Sequence, residues 1–140
     1  MIDPIETEID IREMSPLALA FVGDGVYEVL VRSMLVAHSR LAPAKLHAAA
    51  VRYVSAKGQF AALEAVAPLL TEEEQAVVRR GKNASKASVA KHASPEEYRA
   101  STALESLFGW LYLQGRNGRI EALFAAIRAA HEEEQNEVAV

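Results

Sequence analysis

Apolar positions recur along this chain at intervals of three and four, the period of an α-helix. No stretch alternates convincingly with the period of two that a half-buried strand needs. Start and stop signals divide this helical pattern. Ser15-Pro16 sets a capping serine before a first-turn proline and predicts a helix to about Ala37. Pro43 opens a second helix to about Ala67, with Leu46, Tyr53, Phe60 and Leu63 among its apolar positions. Thr71 and Glu74 have capping-box spacing and start a shorter third helix, which Gly81 is expected to end. Residues 82–93 are small, polar and basic, and read as a loop. Ser94-Pro95-Glu96-Glu97 combines a cap, a first-turn proline, two acids at the positive end of the helix dipole and capping-box spacing from Ser94 to Glu97. That helix runs to about Gln114 and stops at Gly115. Asn117-Gly118 reads as a turn. A last helix carries Ile120, Leu123, Phe124 and Ile127, then frays into Glu132-Glu133-Glu134. The expected fold is all-α, one domain over residues 15–130. It lies between an acidic lead-in, 1–14, open to partial disorder, and an acidic tail, 131–140.

Two acids sit against this pattern. Helical neighbours of Asp24 include Leu17, Phe21, Tyr27 and Val31; those of Glu105 include Tyr98, Phe108 and Tyr112. Each carboxylate thus falls on a largely apolar stripe, where an unpaired charge is costly. A buried arginine or a hydrogen-bond network could compensate. So could a divalent cation shared where two helices cross, since Mg²⁺ takes a few carboxylates and keeps several waters. Gly23, Gly25 and Gly109 beside the two acids suit a close crossing. Glu28, one turn after Asp24, reads as an ordinary pair with Arg32 rather than as an outer ligand.

Composition narrows the classes. Of 140 residues, 51% are hydrophobic and 24% charged, which is globular rather than disordered composition. Cysteine is absent, excluding disulfides, iron–sulfur clusters, thiolate zinc sites and cysteine nucleophiles, and leaving cytoplasm as the expected compartment. No uncharged run is long enough to span a bilayer, and the acidic N-terminus is unlike a signal peptide. His38, His47, His92 and His131 have no ligand-like spacing. The net charge of −4 argues at first against a nucleic-acid partner. Its distribution reverses that argument: residues 79–99 carry a formal +4, leaving −8 on the rest. Arg79, Arg80, Lys82 and Lys86, with Asn83 as a neutral donor, form a candidate phosphate-binding patch just before the helix of Glu105.

The run Leu19-Ala20-Phe21-Val22-Gly23-Asp24-Gly25-Val26-Tyr27-Glu28 resembles the signature helix of ribonuclease III catalytic domains. More closely it resembles the Mini-ribonuclease III branch, which lacks the double-stranded-RNA-binding domain. The likeness continues through Tyr53-Val54-Ser55-Ala56-Lys57, Arg79-Arg80-Gly81-Lys82-Asn83-Ala84, Tyr98-Arg99-Ala100-Ser101-Thr102 and Glu105-Ser106-Leu107-Phe108-Gly109-Trp110. It implies an all-helical homodimer that cleaves double-stranded RNA with Mg²⁺, on precursor large-subunit ribosomal RNA. Asp24 matches the catalytic, metal-binding aspartate and Glu105 the metal-binding glutamate. The resemblance leaves open whether a ribosomal protein presents the RNA. Two carboxylates of the wider family are replaced here, by Ala20 and Thr102, a reduction that the short branch shares. That branch also commonly has alanine where this chain has Gly25. The alternative reading is a catalytically inactive RNA-binding scaffold for ribosome assembly; a purely protein-binding helical dimer is a third. Neither needs both Asp24 and Glu105.

Overall fold

Ser15 caps the first helix as the sequence predicts, its hydroxyl accepting the Ala18 N–H at 3.1 Å. Helix α1 then runs Pro16–His38 in this computed structural model, which describes residues 1–85 and 93–139. It is followed by α2 (Pro43–Val54), α3 (Ala56–Val66), α4 (Glu72–Ala84), α5 (Pro95–Leu113) and α6 (Asn117–Ala139). Among the described residues there is no strand. The all-α expectation therefore holds.

α5 is the axis of the fold. α1, α3, α4 and α6 all pack against it. Ala103, Leu104, Leu107, Phe108 and Leu111 are completely buried, as a helix covered on nearly every side requires. Tyr27 of α1 meets Phe108 edge-on at 5.6 Å between ring centroids and Phe124 of α6 at 6.0 Å, joining three helices in one aromatic cluster.

Two interhelical approaches are backbone to backbone. A Cβ on Gly23 would lie 1.6 Å from the Glu105 carbonyl oxygen, and one on Gly109 would lie 1.9 Å from that of Leu19. The two glycines therefore remove the side-chain layer from the α1–α5 crossing. Ser106, also buried, places its hydroxyl oxygen 2.8 Å from the carbonyl oxygens of both Pro16 and Thr102. Gly25 plays no part in the crossing: a Cβ there meets nothing within 4 Å.

Other boundaries differ from expectation for local reasons. The single helix expected over 43–67 is broken at Ser55. The Ser55 backbone is extended, it ends α2, and its side chain caps α3 by accepting the Gly58 N–H. Gly58 fits this corner because a Cβ would lie 2.2 Å from the Arg52 carbonyl oxygen. Gly81 does not end α4, which continues through residues 82–84; instead it lets α4 rest on α5, where a Cβ would sit 2.8 Å from the Ala103 Cα. The rest of the expected loop, from residue 86 to 92, lies outside the described residues. Both predicted capping boxes, Thr71–Glu74 and Ser94–Glu97, form in full. At the end of α5, Gly115 takes φ +70°. Its N–H reaches the Tyr112 carbonyl and that of Arg116 the Leu111 carbonyl, the paired bonds of a Schellman stop. With the turn made there, Asn117 and Gly118 open α6 rather than forming a turn. Residues 132–134 continue that helix rather than fraying.

Glu74 carries a second task. Its fully buried carboxylate is held bidentately by Arg119 of α6, at 2.7 and 2.8 Å, and also accepts the Thr71 N–H at 2.9 Å. Arg119 adds a 2.7 Å bond to the Leu69 carbonyl. One side chain thus caps α4 and anchors the start of α6.

Candidate active site

The glycine-to-glycine crossing brings the two singled-out acids together. Asp24 follows Gly23 on α1, and Gly23 rests on the backbone of Glu105 itself. With no side-chain layer between the helices, even a short aspartate reaches the glutamate, and the two carboxyl groups come within hydrogen-bonding range. Glu105 is largely shielded from water whereas Asp24 is exposed. The expectation of two acids facing apolar surroundings therefore holds for Glu105 and is corrected for Asp24. The stripe around Asp24 is itself exposed at Phe21 and Leu17.

This arrangement works against the Glu105 anion. Burial, then the Asp24 charge and the hydrogen bond shared with Asp24, raise its pKa from 4.5 to about 8. Gln59 opposes the rise with a donated bond, and the charge of Glu28 adds weakly to it. Glu28 itself pairs with Arg32 at 2.9 Å, one turn along α1, as expected.

Two polar residues on the inner side of Glu105 escaped the sequence reading of the site. Gln59 of α3 is 1% exposed; its Nε2 lies 3.4 Å from Glu105 Oε2, and its Oε1 accepts the Ser101 hydroxyl. The available signal was the one used for the acids. Gln59 shares its helix face with Ala62, Leu63 and Val66, all buried.

Thr102, where the wider family has an aspartate, turns away toward α4. Its hydroxyl oxygen is 3.2 Å from the Tyr98 carbonyl oxygen and 3.3 Å from Ser85 Oγ. Ala20 is buried. Among the described residues, no three of His, Asp, Glu or Cys gather as a metal-binding cluster. His131 stacks on Tyr53 at 4.0 Å, away from the acids, while His38 and His47 are exposed.

Of the basic patch, Arg79, Arg80, Lys82 and Asn83 are exposed on the last turns of α4, which Gly81 seats against α5 at Ala103 and Ser106. Arg80 borders a groove of about 520 Å³ with Leu19, Glu73 and Trp110, which neither acid lines. Lys86 lies outside the described residues.

The sequence places this architecture in a class. Residues 17–116 match the Ribonuclease III domain family, a span that includes both acids and the whole of α5. The fold superposes with a TM-score of 0.77 on the crystal structure of protein FN1578 from Fusobacterium nucleatum, at 28% identity over 89% of this chain and 98% of that one. Mini-ribonuclease 3 of Brevibacillus brevis is 50% identical over 106 residues, 76% of this chain and 79% of the relative. That of Symbiobacterium thermophilum is 45% identical over 113 residues, 81% and 87% of the two chains. The chain belongs to the Mini-ribonuclease 3 branch of the ribonuclease III family, a family of endoribonucleases.

Proposed function

We propose that this protein is a Mg²⁺-dependent endoribonuclease that cuts double-stranded RNA, with precursor large-subunit ribosomal RNA in the cytoplasm as its substrate. The observation that carries the reading is the meeting of Asp24 and Glu105 at the glycine crossing. A fold has no structural need to press two carboxyl groups together; a phosphodiesterase does. The donor set fits a hard divalent cation. It consists of carboxylate oxygens, one of them on a group whose charge is unfavourable until a cation joins it. With no third acid or histidine gathered among the described residues, water would fill the remaining positions, which suits Mg²⁺. When bound, such an ion acidifies a water for attack at phosphorus and offsets charge on the departing oxygen, giving 5′-phosphate and 3′-hydroxyl ends.

The chain's own residues divide the remaining work. Asp24 faces solvent, where the scissile phosphate arrives, and Glu105 stands behind it. Arg79, Arg80, Lys82 and Asn83, together with Lys86, would hold neighbouring phosphates. Duplex RNA would be read by shape, since its major groove is too narrow for side chains.

A homodimer would pair two such sites for the two strands. The surface that suits it is the outer face of α1, where Leu17, Phe21, Val29 and Val36 are exposed and Phe21 is 86% accessible. A ribosomal protein could present the RNA to this dimer.

Asp24→Asn tests the proposal. The variant is expected to fold and bind duplex RNA, yet to lose at least about a hundredfold in Mg²⁺-supported cleavage, the scale on which a metal-held charge contributes. Cleavage at the parental rate would refute it.

A further inference from the structure

Gln59 is the least expected polar residue in the protein. It lies on an otherwise apolar face of α3, is 1% exposed, and belongs to neither the acid pair nor the basic patch. A primary amide buried this deeply is costly unless its atoms find partners. Both of its ends have one. Ser101 and Glu105 stand four residues apart on α5, hence on one face, and Gln59 spans the turn between them. The Ser101 hydroxyl donates to Oε1. An ionised Glu105 can only accept, which sets the way the amide points: its N–H donors face Glu105 Oε2, 3.4 Å away, leaving Oε1 for the Ser101 hydroxyl. Gln59 contacts only one of the two carboxylate oxygens, so it orients the group without saturating it.

We infer that Gln59, held by Ser101, is a positioning residue that fixes the Glu105 carboxylate in the orientation needed to receive a divalent cation. The inference rests on the metal reading of Asp24 and Glu105 proposed above. Partners behind a carboxylate ligand stop it rotating and keep an oxygen directed at the ion, and their loss typically costs 10–100-fold in metal affinity or activity. Gln59 matters more here than in a richer site. Among the described residues no third carboxylate or histidine gathers with the pair, so a wandering Glu105 would leave Asp24 alone to hold the ion. The arrangement also explains why the buried partner is an amide. A carboxylate there would add a third charge, and an apolar residue would leave Glu105 free to turn away.

The test reads metal binding directly, with the full-length protein and no RNA. Mn²⁺, a spectroscopic stand-in for Mg²⁺, is titrated into the wild type, Gln59→Leu, Ser101→Ala and Asp24→Asn, and free Mn²⁺ is followed by electron paramagnetic resonance. Thermal melts in chelator report folding separately. Gln59→Leu is expected to weaken Mn²⁺ binding about tenfold. It should raise the Mg²⁺ concentration for half-maximal cleavage of a duplex RNA by a similar factor, with most of the rate recovered at saturating Mg²⁺. Ser101→Ala is expected to move both in the same direction by about threefold, because it frees the amide without removing it, and it decides the matter if Gln59→Leu does not fold. Asp24→Asn losing Mn²⁺ while Gln59→Leu and Ser101→Ala bind like the wild type would overturn the role of Gln59 alone. Equal Mn²⁺ binding by the wild type and Asp24→Asn, or none by the wild type, would overturn the metal reading and this inference with it.

Discussion

Replacing Glu105 by glutamine should make the metal-free protein more stable while abolishing its chemistry. In the fold the Glu105 pKa is raised from 4.5 to about 8, chiefly by burial and by Asp24. A carboxyl group raised in this way favours the fold in acid and opposes it once the unfolded chain has ionised. Stability is therefore lost as pH climbs from about 4.5 toward 8, and the loss levels off above that. At pH 7 the unfolded chain has released this proton and the fold retains it. At about 1.4 kcal/mol per pH unit above the ordinary value, the destabilisation is about 3 kcal/mol, reduced to about 2 kcal/mol by the water that reaches the pair from the Asp24 side. Glutamine keeps the shape and never ionises. In chelator at pH 7, Glu105→Gln is thus expected to raise the melting temperature by roughly 6–8 °C. The gap should shrink to under about 1 kcal/mol at pH 5, grow between pH 7 and 8, and level off above that. Urea titrations at pH 5, 7 and 8.5, at one fixed protein concentration, measure this. Saturating Mg²⁺ should stabilise the wild type and leave the variant unmoved, because only the wild type gains a ligand-bound folded state. Equal midpoints for the two proteins at pH 8.5 in chelator, or a gap independent of pH, would refute the account of the site as two crowded acids.

Other perturbations separate scaffold from chemistry. Arg119→Met leaves the Glu74 carboxylate buried with only the Thr71 N–H, and is expected to cost about 3 kcal/mol in urea unfolding. In the wild type Arg119 holds the Glu74 pKa below its usual 4.5, so this contribution is present above that pH and is lost as pH falls through the lowered value. The signature glycines should part company. Gly23→Ala drives a methyl into the Glu105 carbonyl and should cost about 3 kcal/mol or more together with activity, whereas Gly25→Ala, facing open space in mid-helix, should gain about 0.5–1 kcal/mol in a thermal melt. Neutralising Arg79 and Arg80 together should weaken duplex RNA binding and lower the slope of log affinity against log salt by about 1–2; an unchanged slope would remove them from the phosphate contact.

What was legible in the sequence was whatever is written locally. Both capping boxes, the Ser15 and Ser94 starts and the Gly115 stop use residues within one turn of each other, and all of them form. The misreadings came where a glycine or a polar residue answers to a distant part of the chain. Gly81 looks like a helix terminator until α5 is seen lying across it. Ser55 looks like one more helical residue until its extended backbone is seen to end α2 while its hydroxyl starts α3. Glu74 reads as half of a capping box, and nothing nearby announces that Arg119, 45 residues on, shares its carboxylate. The candidate site shows the same division. Asp24 and Glu105 stand out because each interrupts an apolar period, but the period cannot say that one faces water and the other does not. That difference follows from which helix is the axis: α5 is covered on nearly every side and takes Glu105 inward, while α1 lies at the periphery and leaves Asp24 at its rim. The asymmetry suits the chemistry proposed. An acid at the rim can meet a phosphate too large to enter the core, and one behind it can be oriented by Gln59 and Ser101, which water would otherwise compete with. The glycine crossing is what allows both conditions at once, since any side chain at Gly23 would force the helices apart and separate the two carboxyl groups.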